Sequence, residues 1–191
     1  TASSRVVAVP QTSWPMSCTI ASKQAGASMI IVTGTGKDAA RLNLARELGA
    51  DVVINVEEED PLERIKDATG GIGVDVVLDC TAGAGTIPIM LGIEALKRKA
   101  GRLLVQGEMS EFPNFPLARV TVKAITLHSA RGHNYRSCEL ALRQLASDRF
   151  PIHKMTTHRF GLDEVDRAIK AVGGLGQDRD VIHVSLMPWL K

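Results

Sequence analysis

The chain has 191 residues, of which 45% are hydrophobic, and its 23 basic and 21 acidic side chains leave a net charge of +2. This length and composition are typical of one compact globular domain and exclude a disordered chain. A net charge so close to zero gives no electrostatic reason to expect a nucleic acid or a membrane surface as partner.

The cysteines, Cys18, Cys80 and Cys138, are odd in number and far apart, so neither a structural metal nor a disulfide is expected. No apolar run is long enough to span a bilayer and no signal-peptide pattern opens the chain, which predicts a cytoplasmic location. The first residue is Thr rather than Met, which is consistent with a piece of a longer protein.

Short β-branched runs alternate with helical patterns along most of the chain, as in βαβ units. Continuous apolar runs such as VDVVLD are typical of parallel strands covered on both faces. The pattern therefore predicts an α/β fold with a parallel sheet. The predicted strands are Val6–Val9, Met29–Thr33, Val52–Asn55, Val74–Asp79, Leu103–Gln106 and Ile125–Leu127.

The segments between these strands carry helix start and stop signals. A helix is predicted over Lys37–Leu48, before Gly49. A second is predicted to begin after Asp60, a good N-cap, and to end at Gly70. A third is predicted over Thr86–Lys99, with the basic residues 97–99 in its last turn.

Two further helices and a last strand are predicted after the sixth strand. In the helix Arg136–Ser147, the inward residues are predicted to be Cys138, Ala141, Leu142 and Leu145. In the helix Leu162–Val172, they are predicted to be Leu162, Val165, Ile169 and Val172. The last strand is predicted over Val181–Leu186.

Two glycine-rich stretches, GTGKDA from Gly34 and GAGTIP from Gly83, match part of a dinucleotide-binding fingerprint. In a doubly wound sheet, however, the first strand-to-helix turn holds the pyrophosphate, and GTGKDA is the second turn. Its Gly34, Thr35, Lys37 and Arg41 offer room, a hydroxyl and positive charge, which suits a 2′-phosphate and favours NADP over NAD. The alternative is that Lys37 and Arg41 are only exposed charges at a helix start.

Five segments occur in the order and spacing of one protein family: AGASMIIVTG, ARELGADVVINVEEEDP, TGGIGVDVVLDCT, GRLLVQG and MTTHRFGLDEVDRAI. From about Gln24 to Trp189 the chain resembles the cofactor-binding domain of the medium-chain dehydrogenases, the zinc-type alcohol and polyol dehydrogenases. The resemblance implies a Rossmann fold of six parallel strands in the order 3-2-1-4-5-6, with helices on both faces. It also implies NAD or NADP as cofactor and a homodimer joined through the sixth strand.

In this family a catalytic domain with the zinc ligands precedes the cofactor domain, and this chain begins about where the first Rossmann strand is expected. We therefore expect no catalytic residue and no metal ligand here, and zinc only in the absent domain. The whole chain, residues 1–191, is expected to form one Rossmann domain. Its residues 148–191 are an extension that would pack toward the missing catalytic domain.

The first turn departs from the family pattern. Where the family has G-x-G-x-x-G, this chain has PQTSWP, residues 10–15. The Thr12 side chain would crowd a pyrophosphate, and Pro10 and Pro15 each lack an N–H donor. Ser13 could still cap the following helix. Cofactor binding is therefore expected to be impaired at this turn.

Other residues match the family singly. The resemblance implies that Cys80 and Thr81, after the fourth strand, and Val105 to Gly107, after the fifth, flank the cofactor. It implies that Arg131, after the sixth strand, reaches the phosphates. The sequence thus predicts the nicotinamide-dinucleotide-binding domain of a dehydrogenase, inactive alone. The alternative is a non-catalytic Rossmann module for binding or dimerisation that has lost the cofactor.

Overall fold

The structure, a computed structural model, describes residues 4–9, 14–107 and 111–190. Of the predicted first turn, residues 10–15, positions 10–13 lie outside the described residues, and the last two belong to the first helix. Within them the strands are β1 (Arg5–Val9), β2 (Met29–Gly34), β3 (Val52–Asn55), β4 (Val76–Asp79), β5 (Arg102–Val105), β6 (Thr126–Ser129), β7 (Thr156–Phe160) and β8 (His183–Leu186). The α-helices are α1 (Trp14–Gln24), α2 (Ala39–Glu47), α3 (Pro61–Ala68), α4 (Ile87–Ala95), α5 (Leu117–Val122), α6 (Tyr135–Ala146) and α7 (Val165–Val172).

Six strands form one sheet in the order β3-β2-β1-β4-β5-β6, and every neighbouring pair is parallel. This confirms the predicted α/β class and the predicted strand order. The strands β7 and β8 pair separately, also in parallel, beside α7. β1 and β4 are adjacent at the centre of the sheet, and the strand order reverses there.

The core lies on both faces of the six-stranded sheet. Val7 of β1 shares one buried cluster with Ile65 of α3, whereas the next residue, Ala8, shares another with Leu42 of α2. Neighbouring residues of a strand point to opposite faces, so each strand contributes to both clusters. This packing explains why the strands are apolar throughout rather than alternating.

Most predicted strand bounds agree with the structure to within one or two residues. β4 begins at Val76 rather than Val74, because Val74 forms an isolated parallel bridge with Leu96. The predicted N-cap of α3 is confirmed. The Asp60 carboxylate accepts hydrogen bonds from the backbone N–H groups of Leu62 and Glu63, at 2.8 and 2.9 Å.

The end of α4 differs from the prediction, which placed Lys97, Arg98 and Lys99 in its last turn. The helix ends at Ala95. Leu96 is extended, and the backbone N–H of Lys97 donates to the Val74 carbonyl at 2.9 Å, so the chain leaves the helix to pair beside β4. The Lys97 ammonium lies 2.6 Å from the Asp75 carboxylate instead of near the helix end.

The predicted inward face of α6 was wrong, since all four of its residues are exposed: Cys138, Ala141, Leu142 and Leu145. The helix is amphipathic, as the sequence indicates, but the described elements do not cover its apolar side. Part of that side borders an open groove against α1.

The predicted stripe of α7 was also wrong in most positions. Leu162, Ile169 and Val172 are exposed, and Val165 is half-buried. The small residues Ala168 and Ala171 are buried instead, against Phe160 of β7. The helix thus presents its alanines to the two-stranded sheet, where close approach leaves no room for larger side chains. The last strand begins at His183, two residues later than predicted.

Candidate functional site

A cavity of about 650 Å³ opens at the carboxyl ends of β2, β3 and β4. It lies beside the point where the strand order reverses, which in doubly wound sheets is the usual ligand position. Its apolar lining includes Val56, Leu62, Ile87, Met90 and Leu91, and its polar lining includes Thr33, Thr35, Thr81 and Glu94. Such a lining suits a ligand with a flat ring system beside a group that carries hydroxyls.

Thr33, near the end of β2, is the clearest sign of a missing partner in this cavity. The residue is fully buried, and its hydroxyl Oγ1 has no hydrogen-bond partner among the described residues. A buried hydroxyl without a partner costs about 1 to 3 kcal/mol. A ligand with a polar group at this wall would remove that cost.

Two carboxylates hold the turn that follows β2. Asp38 accepts hydrogen bonds from the backbone N–H and the hydroxyl of Thr35, at 3.1 and 2.8 Å. Glu57, just after β3, accepts the backbone N–H of Gly36 at 2.8 Å. Both carboxylates thus fix the backbone of this turn, one at Thr35 and the other at Gly36.

Lys37 and Arg41, predicted to face the same ligand, line a different cavity of about 640 Å³ between this turn and the connection from α7 to β8. The Arg41 guanidinium lies 3.0 Å from the Asp38 carboxylate and donates to the Val181 carbonyl at 2.8 Å. Its charge is thus balanced by Asp38, and its donors are directed toward β8 rather than toward the ends of β2 and β4.

The end of β4 is closely packed around a buried carboxylate. Asp79 is 2% exposed and accepts hydrogen bonds from the backbone N–H and the hydroxyl of Thr81, at 3.1 and 2.7 Å. Gly107, after β5, lies so close that a Cβ atom there would be 2.2 Å from the Thr81 carbonyl oxygen. Only glycine fits at this position, and it keeps the ends of β4 and β5 in contact.

Cys80, between Asp79 and Thr81, is buried, and its sulfur lies 3.6 Å from that of Cys18 on α1. The hydrogen bond with Cys80 lowers the pKa of Cys18, although burial opposes this. The same hydrogen bond, with burial and the charges of Cys18 and Asp79, raises the pKa of Cys80. The two cysteines are free thiols.

The remaining predicted residues lie farther along the sheet. Val105 lines a cavity of about 480 Å³, together with His128 and Ser129 at the end of β6. Arg131 is exposed just beyond that strand. The structure therefore brings Gly34, Thr35 and Thr81 together in one cavity. Val105 borders another cavity, at the carboxyl ends of β5 and β6.

Within residues 4–9, 14–107 and 111–190, no group of three or more His, Cys, Asp and Glu side chains could hold a metal ion. In the same ranges, no helix is long and apolar enough to cross a membrane.

Sequence reasoning missed four polar residues at this edge of the sheet: Thr33, Asp38, Glu57 and Asp79. The acidic residue at the end of VDVVLD was a signal, because a charged residue that closes a buried strand needs partners. Glu57 had no such signal. It stands in the acidic run EEED, and only the fold brings it to Gly36.

Comparison with known proteins agrees with this architecture. Residues 16–147 match the family described as zinc-binding dehydrogenase. The "Probable alcohol dehydrogenase adh" of Mycobacterium tuberculosis is 33% identical over 172 residues, which are 88% of this chain and 46% of that protein. Sorbitol dehydrogenase of Homo sapiens is 30% identical over 163 residues, 82% of this chain and 43% of that protein.

Among solved structures, the alcohol dehydrogenase TADH from Thermus sp. ATN1 has a TM-score of 0.81 at 26% identity, over 96% of this chain and 51% of that one. The sheet order and the cavity at its reversal point define a Rossmann-type domain. The chain belongs to the zinc-binding dehydrogenase family and corresponds to its cofactor-binding part. It spans less than half the length of the two curated relatives, at 46% and 43%.

Proposed function

We propose that this chain binds a nicotinamide dinucleotide at the carboxyl ends of its strands, as the cofactor-binding domain of an alcohol or polyol dehydrogenase. The cavity of about 650 Å³ with the unpartnered Thr33 hydroxyl carries the proposal. A Rossmann sheet binds dinucleotides at this edge. The nicotinamide, when bound, supplies hydride transfer.

The two ends of the cofactor differ in what they need from the protein. The adenosine fits the cavity of about 650 Å³, where Thr33, Thr35 and Thr81 provide polar contacts beside apolar walls. The nicotinamide end would extend past Cys80 and Gly107 toward Val105. The family resemblance implies that Arg131, beyond β6, reaches the phosphates of the cofactor.

The charges at the turn after β2 favour NAD over NADP, although the sequence pattern favours NADP. A 2′-phosphate at this turn would meet the carboxylate of Glu57 beside Gly36, and like charges at close range repel. The balancing cation, Arg41, is already paired with Asp38. Carboxylates are also the usual acceptors for the two ribose hydroxyls of NAD.

The variant Glu57→Gln tests this preference. Removal of one negative charge beside Gly36 should strengthen NADPH binding relative to NADH by about threefold to tenfold. The matched control is Glu58→Gln, because Glu58 is the next residue and is exposed. Competitive titration calorimetry measures both ratios. An unmodified chain that prefers NADPH, or an equal effect in both variants, would contradict the assignment of NAD.

The first turn determines how tightly the cofactor is held. We expect weak NADH binding by the unmodified chain, because its first turn, PQTSWP, lacks glycine and two N–H donors. A variant with Pro10→Gly, Thr12→Gly and Pro15→Gly should bind on the order of a hundredfold more tightly in calorimetry. If neither form binds NADH or NADPH, the cofactor proposal fails.

The reaction belongs to the complete dehydrogenase, with an alcohol or polyol as substrate, as the names of the relatives suggest. Zinc and the substrate contacts would come from a catalytic domain, which the family places before this one. We expect the chain alone to be inactive. The exposed apolar residues of α6, and residues 148–191, are the surface that we propose to pack toward that domain.

Two further features complete the proposal. The strand β6 is the edge of the sheet and is exposed along its whole length, which supports a homodimer joined through this edge. Sedimentation of the purified chain should then show a dimer.

The free thiols of Cys18, Cys80 and Cys138 suit a reducing compartment, so we propose a cytoplasmic location.

A second candidate function rests on the altered first turn. A Rossmann domain without its phosphate-binding turn could serve only for binding or assembly. The PQTSWP sequence favours this alternative, whereas the cavity and its unpartnered hydroxyl favour a cofactor. Dimer formation without any nucleotide binding, even after glycine is restored, would identify the chain as such a module.

A further inference from the structure

We infer that Cys18 and Cys80 form a redox-active dithiol, which a peroxide converts reversibly into an intramolecular disulfide. The residues are 62 positions apart in sequence, yet their sulfur atoms lie 3.6 Å from each other. The spacing of the cysteines predicted no disulfide, and the contact arises only from the fold. Neither residue has a role in the proposed hydride transfer that requires this contact.

The two sulfurs belong to elements that are already fixed next to each other. Cys18 lies in the second turn of α1 and packs against the buried cluster of Ala8 and Ile30, and Cys80 directly follows β4. A disulfide bond is about 2.05 Å long, so the sulfurs must approach by roughly 1.5 Å. Side-chain rotation and a small shift of α1 can provide such a movement without unpairing a strand.

The environments of the two thiols assign them different roles. Cys18 is half-buried, and its hydrogen bond with Cys80 lowers its pKa, so Cys18 is the sulfur that a small oxidant reaches first. Cys80 is only 4% exposed, and its pKa is raised, so it remains a neutral thiol. Cys18 is therefore the attacking residue, and Cys80 is the residue that closes the bond.

The oxidation balances with hydrogen peroxide as the only co-reactant. The Cys18 thiolate attacks one peroxide oxygen, the O–O bond breaks, and hydroxide leaves, so that Cys18 becomes a sulfenic acid. Cys80 then attacks the Cys18 sulfur and displaces hydroxide, which takes up the Cys80 proton as water. In total, two thiols and one peroxide give one disulfide and two waters, and an added dithiol reverses the change.

The bond would tie α1 to the end of β4 and close the loop between residues 18 and 80. A closed loop of this length restricts the unfolded chain more than the folded one. The oxidised chain should therefore unfold at a higher urea concentration than the reduced chain. Because Thr81 follows Cys80 and lines the cavity of about 650 Å³, the cross-link lies next to that cavity without filling it.

The test treats the full chain with hydrogen peroxide and then blocks the remaining thiols with iodoacetamide. Peptide mass spectrometry should find Cys18 joined to Cys80, with the mass of two hydrogen atoms lost, and Cys138 still alkylated. The urea midpoint should rise on oxidation and return after dithiothreitol. Cys138→Ser is the matched control and should form the same cross-link.

The variants separate the two roles. In Cys80→Ser, peroxide should leave Cys18 as a sulfenic acid that dimedone traps, and the urea midpoint should not rise. In Cys18→Ser, Cys80 should stay alkylatable only after unfolding. The inference is overturned if the unmodified chain forms no Cys18–Cys80 bond at peroxide concentrations that oxidise Cys138. It is also overturned if Cys18 joins Cys138 or another chain instead.

Discussion

At Gly107, the nearest backbone atom leaves no room for a side chain. A Cβ atom there would lie 2.2 Å from the Thr81 carbonyl oxygen, and the Asp79 carboxylate is 3.2 Å away. A flexible side chain could move aside, but a strand-end carbonyl cannot. Because Thr81 lines the cavity of about 650 Å³, this contact links the stability of the fold to the shape of that cavity.

The substitution Gly107→Ala should lower the free energy of unfolding by about 1 to 3 kcal/mol, because it forces the ends of β4 and β5 apart. Gly176→Ala is the matched control, since its nearest neighbour would be an ordinary 3.6 Å contact. Urea denaturation compares the two. An equal, small loss in both variants would mean that β4 and β5 separate without cost.

Asp75, just before β4, makes the stability of the fold depend on pH. Burial tends to raise the pKa of this carboxyl, but hydrogen bonds from Lys97 and from the backbone of Arg5, and the charges of both residues, lower it below 3.8. A carboxyl whose pKa is lower in the folded state stabilises the fold above its unfolded pKa. That contribution is lost as the pH falls through the folded value.

The variant Asp75→Asn should therefore be less stable than the parent chain at pH 7, by about 1 kcal/mol. The difference should shrink as the pH falls below the unfolded value of 3.8. Urea denaturation at several pH values measures it, with the exposed Asp67→Asn as control. A difference that stays constant down to acid pH would exclude an ionic origin.

Among the helices, α2 and α6 both carry leucines but differ in environment. Leu48, at the end of α2, is completely buried with Met16 and Ile20 of α1. Leu142 of α6 is 65% exposed. The presence of leucines in a helix therefore does not tell whether a partner covers them.

We expect Leu142→Gln to change the free energy of unfolding by less than about 0.5 kcal/mol. Leu48→Ala should cost about 2 to 5 kcal/mol, because it leaves a cavity in the core. Urea denaturation of the two variants measures the contrast. A large loss in Leu142→Gln would mean that α6 is covered in solution, for instance by a second copy of the chain.

The sheet was predictable from sequence because its signals are local. Apolar runs give the strands, and Asp60 gives a helix start by its own hydrogen bonds. The end of α4 was not predictable, since pairing of Val74 with Leu96 competes with the basic residues that normally end a helix. The buried face of α7 depended on the close approach of β7, which no local pattern encodes.

At the scale of the whole molecule, the strand order brings residues from distant segments to one edge. Glycine and hydroxyl residues at strand ends, such as Gly34, Thr35 and Thr81, could be predicted because strand ends meet there. The direction in which Arg41 points could not, because its partner Val181 is 140 residues away. Long-range pairing of charges is the part of the site that sequence patterns do not contain.

We propose that a nicotinamide dinucleotide binds at the cavity between β2, β3 and β4. Hydrogen–deuterium exchange with and without millimolar NADH tests it most directly, since it also locates the ligand. We predict slower exchange in residues 33–36, 56–62 and 81–91, and no change in α6. Slower exchange confined to the groove between α1 and α6, or no change at saturating NADH even after glycine is restored at positions 10, 12 and 15, would contradict the claim.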